Sequence, residues 1–214
     1  MSKGDVVIVF DCGATNVRVI AIDSRGDILA SESFPNSASK DTCFPSYRIW
    51  DTDEIWKKMC IGSRKVVNQI KKNGIVGVTV TTFGVDGTLF DKSGNMLYPV
   101  ISWQCERTVP IMAAIDKYIP LTDLYRESGV LPFNFNTINK LIWFIENRPD
   151  LVEKSHCFLF MPSVFNLLLT GEMVNDTTMA GTSMMTSLSS GKFSENIFNR
   201  IGFPIEKTGK VVDP

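Results

Sequence analysis

The chain has 214 residues, 44% of them apolar and 21% charged, and its 22 Lys and Arg nearly balance 23 Asp and Glu, for a formal charge of -1. That length buries one large core, or a domain and part of another. The balance of charge leaves no electrostatic footprint for nucleic acid, and no apolar run approaches the ~18 residues of a membrane span, so the expected partner is a small molecule.

Asp5 stands directly before the apolar run VVIVF (residues 6–10), too acidic and too short a layout for a secretory signal. The run reads as a first strand, followed by strands VRVIAID (17–23) and ILASES (28–33) around a turn at SRGD. Val17, Val19 and Ala21 alternate with Arg18, Ile20 and Ile22, a pattern that suits a sheet covered on both faces. Residues 34–49, punctuated by Ser, Pro and Lys, read as loop. Apolar positions Ile55, Trp56, Met59, Val66, Val67 and Ile70 predict a helix from Asp53 to Lys72, with Thr52 or Asp53 as N-cap and Asn73-Gly74 as stop.

The β-branched run IVGVTVTTF (75–83) then leads into GVDG, a turn at DKSGN and a short strand LYPVISW (97–103). Strands entered through a helix after a meander indicate a mixed sheet of the α/β class. Periodicity predicts helices over 108–127 and 137–148, an apolar stretch over 150–170 broken by Pro162, and a polar and aromatic loop between them at SGVLPFNFNT. No linker divides the chain, which reads as one domain with an α-rich insertion. Its tail, IEKTGKVVDP, shows no closing element.

Five cysteines (Cys12, Cys43, Cys60, Cys105, Cys157) without a C-x-x-C suggest neither a zinc cage nor a disulfide framework, and reduced thiols in a cytoplasmic protein are expected. His156 is the sole histidine and has no nucleophile partner, which disfavours a Ser/His/Asp hydrolase.

Chemistry concentrates in a few stretches. DCGATNVR (11–18) sets Asp11 at a strand end, Gly13 and Ala14 where bulk is absent, and Thr15 and Asn16 as donors. Backbone N–H groups in such a bend form an anion nest, and a carboxylate at its edge holds a divalent cation through water; an ordinary hairpin whose Asp and Asn cap backbone groups is the competing reading. TTFGVDG (81–87) offers Gly84 and Gly87 for close approach and Asp86 as an acceptor for sugar hydroxyls, or simply a bulge and a turn. WQCERT (103–108) offers Trp103 as an apolar platform and Arg107 as a fork, against a core Trp and a surface ion pair. FNFNT (133–137) and NDTTMAGTS (175–183) are rich in amides and hydroxyls, which also suit Asx and ST turns.

In this order the motifs resemble the first domain of the FGGY carbohydrate kinases, a branch of the actin, Hsp70 and hexokinase ATPase superfamily with a ribonuclease H-like fold. The resemblance runs from about Val7 to Phe203 and is nearer to the L-fuculokinase branch than to the glycerol kinase or xylulokinase branches. Glycerol kinase has Arg-Glu where this chain has Gly84-Val85. Rhamnulokinase shares the GVD and FNT elements and is the nearest rival.

The resemblance implies ATP and Mg²⁺ as cofactors and a ketose, L-fuculose favoured, as substrate, with no nucleic acid or membrane partner and homo-oligomerisation left open. By carry-over, Asp11 positions the metal through water, residues Gly13, Ala14, Thr15 and Asn16 lie near the transferred phosphoryl group, and Arg18 supports their loop. Gly84, Asp86, Trp103, Arg107 and Asn136 line the ketose pocket, and Asp176 braces the loops around it. Family members are about twice this length, so the general base and the adenine-holding domain are expected beyond Pro214. A ribonuclease H-type nuclease, which needs clustered carboxylates for two metals, is the weaker rival; a sugar-binding or scaffold module without catalysis is the stronger one.

Overall fold

The computed structural model describes residues 4–70 and 74–213. β1 (Val6–Cys12), β2 (Asn16–Asp23) and β3 (Ile28–Pro35) form the expected meander. The segment expected as loop contains two short strands, β4 (Ser39–Lys40) and β5 (Arg48–Trp50), too brief to show a period of two. In α1 (Thr52–Gln69) the N-cap is Asp51, one residue ahead of the expected caps, and its side chain accepts from the Glu54 N–H at 2.9 Å. The helix ends at Gln69; the expected end at Lys72 and the Asn73 of its stop lie outside the described residues.

β6 (Ile75–Thr82) and β7 (Gly87–Phe90) flank the GVD turn, and β8 (Val100–Ile101) is what remains of the strand expected over 97–103. The helical pattern over 108–127 is divided into α2 (Val109–Ala113) and α3 (Leu121–Ser128). A 3-10 turn (Ile115–Lys117) lies between them, and Pro120, which has no N–H to donate and biases Ile119 away from helical backbone, stands at the N-cap of α3. α4 (Thr137–Asn147) stands as expected.

The stretch 150–170 resolves into α5 (Pro149–Lys154), β9 (Cys157–Phe160) and α6 (Met161–Thr170). Pro162 sits in the first turn of α6, where a missing N–H is no loss, so it starts a helix instead of breaking one. β10 (Val174–Asp176), α7 (Thr177–Thr182), α8 (Glu195–Ile201) and β11 (Lys210–Val212) complete the chain. β11 pairs in parallel with β10, so the tail carries a closing strand that its sequence did not suggest.

Packing divides the chain into two compact units, one of residues 4–39 and 51–83, the other of residues 40–50 and 84–213. The α-rich insertion is thus a unit in its own right, and it also takes in the segment containing β5. In the first unit the sheet order is β3-β2-β1-β6, with β1 antiparallel to β2 and parallel to β6, the mixed α/β sheet expected. Ile8, Phe10, Val17, Val19 and Ala21 are buried on one face, where Ile55, Met59 and Val66 of α1 are also buried and Trp56 meets Phe10 edge-on at 6.1 Å. The second face is not covered in this unit as the β2 pattern suggested: Arg18 is exposed and Ile20 and Ile22 are half-buried. β6 is an edge strand on which Val76 and Val78 are exposed.

In the second unit β7 pairs antiparallel with β9 and β5 with β8. Leu141, Ile142 and Phe144 of α4 belong to the same buried cluster as Leu89, Ile101, Phe158 and Phe160, each worth about 1.5–3 kcal/mol when taken from water. None of the helices among the described residues is long and apolar enough to cross a membrane.

Gly87, opposite Phe160 in the β7–β9 ladder, is required by packing: a Cβ there lies 2.4 Å from Phe158 Cζ and 2.5 Å from the Leu159 carbonyl oxygen. Gly87→Ala is therefore expected to destabilise the chain by about 3 kcal/mol, measured by urea unfolding; a loss below roughly 1 kcal/mol, the scale of a tolerated core swap, contradicts this packing.

Candidate active site

The stretch 11–18 is the β1–β2 hairpin. Cross-strand pairs Asp11–Arg18 and Cys12–Val17 bring its ends together, and the Gly13 N–H closes the tip on the Asn16 carbonyl at 2.8 Å. A Cβ at Gly13 lies 3.0 Å from that carbonyl oxygen, so the tight closure favours glycine. Asn36 holds the tip from behind: its Nδ2 donates to the Gly13 carbonyl at 2.9 Å and its N–H to the Thr15 carbonyl at 2.8 Å.

The outer side of the tip is open. Thr15, Asn16 and Arg18 are exposed and Asp11, Gly13 and Ala14 half-buried, while among the described residues the N–H groups of Ala14 and Thr15 find no protein acceptor. Asp11 forms an ion pair with Arg18. Free amides, a hydroxyl and a half-buried carboxylate fit a phosphate chain and a hydrated cation. Among the described residues no group of three or more His, Cys, Asp or Glu side chains is placed to hold a metal, so a cation here relies on Asp11 and water.

The second unit carries the other group. The Asp86 N–H bonds the Gly84 carbonyl at 2.9 Å, making a γ-turn about Val85, whose φ is 64°. A β-branched residue in this region is strained. Its carbonyl is held from two sides, by Thr137 Oγ1 at 2.8 Å and Lys140 Nζ at 2.9 Å. Gly84 is half-buried, and the nearest atom to a Cβ there is Thr182 Oγ1, at an ordinary 3.5 Å.

Asp86, expected to face sugar hydroxyls, has a side chain with 0% exposure and accepts from three protein donors. Oδ1 takes Lys140 Nζ at 2.6 Å; Oδ2 takes Trp50 Nε1 at 2.6 Å and the Trp103 N–H at 3.0 Å. Burial drives the Asp86 carboxyl up and the Lys140 ammonium down, and their mutual attraction opposes both shifts. In this structure the carboxylate anchors the turn and has no exposed surface.

Around this anchor lie polar and aromatic groups. Asn136 Oδ1 accepts from the Phe133 N–H at 2.6 Å, while its Nδ2 has no protein acceptor among the described residues. Trp103, 37% exposed, stands edge-on to Phe135 at 6.4 Å, and Phe135 stacks on Phe133 at 4.9 Å. Asp176 caps α7 by accepting from the Met179 N–H at 2.8 Å.

Arg107, also expected in the ketose pocket, has a side chain with 0% exposure. Nη2 reaches Asp41 at 3.0 Å, Nη1 the Tyr98 hydroxyl at 3.1 Å and Nε the Cys105 sulfur at 3.1 Å, while the guanidinium stacks on Tyr47 and Trp143. Its nitrogens are taken by protein groups, so it ties Asp41 into the core; it borders a separate cavity of about 280 Å³ with Lys117, Tyr118 and Glu146. The cysteines stay unpaired, and burial pushes the Cys12 thiol up to about 12 and that of Cys157 to about 11, an inert state.

Sequence reading missed Lys140, Thr137, Trp50, Asp41 and Asn36. For Lys140 a signal was present: a lone cation within TINKLIWF, a helix otherwise apolar around it, must find a buried partner. The others have partners distant in sequence and left no local trace.

Burial raises the Asp41 carboxyl, but hydrogen bonds from Tyr98, the Cys43 N–H and Arg107 outweigh it and hold the group below its ordinary value. The folded chain then binds fewer protons there than the unfolded chain, so this stabilisation is present above about pH 4 and lost as pH falls further. In urea titrations wild type is expected to lose stability more steeply below about pH 4 than Asp41→Asn; equal slopes contradict the assignment.

Comparison with known proteins identifies the family. The family model described as FGGY family of carbohydrate kinases, N-terminal domain, matches residues 6–213. An L-fuculokinase of Haemophilus influenzae is 41% identical over 98% of this chain and 48% of its own length, and one of Escherichia coli K12 is 44% identical over 94% and 43%. The chain thus spans about half the length of these relatives. A ligand-bound xylulose kinase from Lactobacillus acidophilus superposes with a TM-score of 0.88 over 98% of this chain and 42% of its own, at 18% identity, a likeness of fold. The chain belongs to the FGGY family of carbohydrate kinases, matching its N-terminal domain.

Proposed function

We propose that this chain is the sugar- and phosphate-holding part of an ATP-dependent kinase that transfers a phosphoryl group to the 1-hydroxyl of a 6-deoxyketose, L-fuculose first. The observation that carries the reading is the open β1–β2 tip, with unpaired Ala14 and Thr15 amides beside the Asp11 carboxylate, in a chain 41% to 44% identical to L-fuculokinases.

Bound ATP with Mg²⁺ supplies the γ-phosphoryl group and part of the charge neutralisation that phosphoryl transfer needs. On this chain the Ala14 and Thr15 amides and the Thr15 hydroxyl hold phosphate oxygens, and Asp11 accepts from water on the cation. Arg18, which pairs with Asp11, keeps the carboxylate oriented and limits the negative charge at the tip. Trp103 gives the ketose an apolar floor and Asn136 Nδ2 a donor. The group that takes the 1-hydroxyl proton is assigned to the half of the family's length that this chain does not span. Consumption of ATP and the five unpaired thiols favour a cytoplasmic setting.

The test is a coupled kinase assay on the full-length protein containing this chain, with L-fuculose, L-rhamnulose and D-xylulose. L-fuculose is expected to give the highest kcat/KM, and Asp11→Asn to lower kcat by 100-fold or more, on the order seen when charge stabilisation is removed. No turnover with any ketose, accompanied by heat of binding in calorimetry, would leave a sugar-binding module in place of a kinase. Preference for L-rhamnulose would move the assignment within the family.

A further inference from the structure

The proposed ketose pocket draws on two segments far apart in the chain, the turn at residues 84–87 and the loop at residues 133–137. α4 is bonded to both. Lys140 Nζ donates to the Val85 carbonyl at 2.9 Å, to Asp86 Oδ1 at 2.6 Å and to the Phe135 carbonyl at 2.9 Å. An ammonium has three hydrogens, and all three are placed. Thr137 Oγ1 adds a second bond to the Val85 carbonyl at 2.8 Å.

Neutralising Asp86 takes one of these contacts, and burial requires acceptors for the other two protons, which this fold finds on two different segments. The two carbonyl contacts, one on each segment, have a different consequence. Val85 occupies a backbone region that a β-branched residue leaves when nothing holds it, and its carbonyl is the atom that Lys140 and Thr137 grip. The same ammonium fixes Phe135, whose ring meets Trp103 and Phe133.

We propose that Lys140, with Thr137, is the positioning pair of this site: a buried three-way clamp that sets the register between the Val85 turn and the Phe135 loop, and through it the shape of the ketose pocket. The inference rests on the ketose-kinase reading. It makes Lys140 a residue that acts on substrate through the backbone of others, without touching it.

The test uses the full-length protein, with KM measured separately for L-fuculose and ATP. Thr137→Val, which keeps size and loses the hydroxyl, is expected to raise the ketose KM about tenfold, the scale of one buried hydrogen bond, with the ATP KM within about twofold; Thr137→Ser restores it. Simple loss of folded enzyme lowers kcat and leaves both KM values in place. Asp86→Asn, Lys140→Met and the double variant form a cycle, in which the double variant removes both charges and so avoids stranding a carboxylate.

Clamping predicts a ketose KM for the double variant at least about tenfold above that of Asp86→Asn alone. Equal values within about twofold, or a Thr137→Val enzyme indistinguishable from wild type, overturn the proposal. If the wild type phosphorylates no ketose, the kinase reading fails by itself, and crystal structures decide the clamp: Val85 relaxed to negative φ in the double variant supports it, and φ retained near 64° refutes it.

Discussion

A carboxylate and an ammonium taken out of water together are the constraint on which the second unit of this protein is built. Asp86 and Lys140 have side chains with no exposure, and each charge is tolerable because the other is 2.6 Å away, both carboxylate oxygens accept hydrogen bonds and all three ammonium protons have partners. Satisfying them recruits Trp50, the Trp103 amide, the Val85 carbonyl and the Phe135 carbonyl. Four separated stretches of chain, at residues 50, 85–86, 103 and 135–140, therefore converge on one point for electrostatic reasons. What this convergence leaves outward is uncharged: an indole, an amide nitrogen and stacked phenyl rings, a surface suited to a neutral sugar.

The hairpin of the first unit solves the opposite problem. There polar groups stay wet: the tip at residues 13–16 keeps two amides unpaired, and Asn36 rather than a ligand supports its inner side. A rigid strand pair thus carries a loop whose hydrogen-bonding capacity is unspent, the requirement for gripping phosphate oxygens. One unit presents unpaired backbone amides, the other a neutral and aromatic surface braced from beneath, and the proposed reaction draws on both.

Legibility in the sequence followed the range of the interaction. The β1–β2–β3 meander, α1, β6 and α4 were readable because periodicity and caps act within a few residues. β5, β7 and β9 were not: each has three or four residues, and β9 inside 150–170 shares its apolar run with α6. Pro162 was misread as a breaker because its effect depends on where the helix begins. The hairpin tip was recognisable as a candidate site because its chemistry lies in eight consecutive residues. Asp86 and Arg107 were picked out from the sequence as candidate ligand contacts, and the buried protein partners they have here, Lys140 and Asp41, were not readable because they lie 54 and 66 residues away. A charged residue in a motif is equally consistent with binding a ligand and with holding the ligand's pocket, and burial alone separates the two.

The most direct measurement of this account is a crystal structure of the full-length protein with L-fuculose bound. The account places the sugar on Trp103 within reach of Asn136 Nδ2, with Lys140 still bonded to Asp86 and the Val85 and Phe135 carbonyls. A sugar found instead in the cavity bordered by Lys117, Tyr118 and Glu146, or one that draws Asp86 away from Lys140 to hold its own hydroxyls, contradicts it.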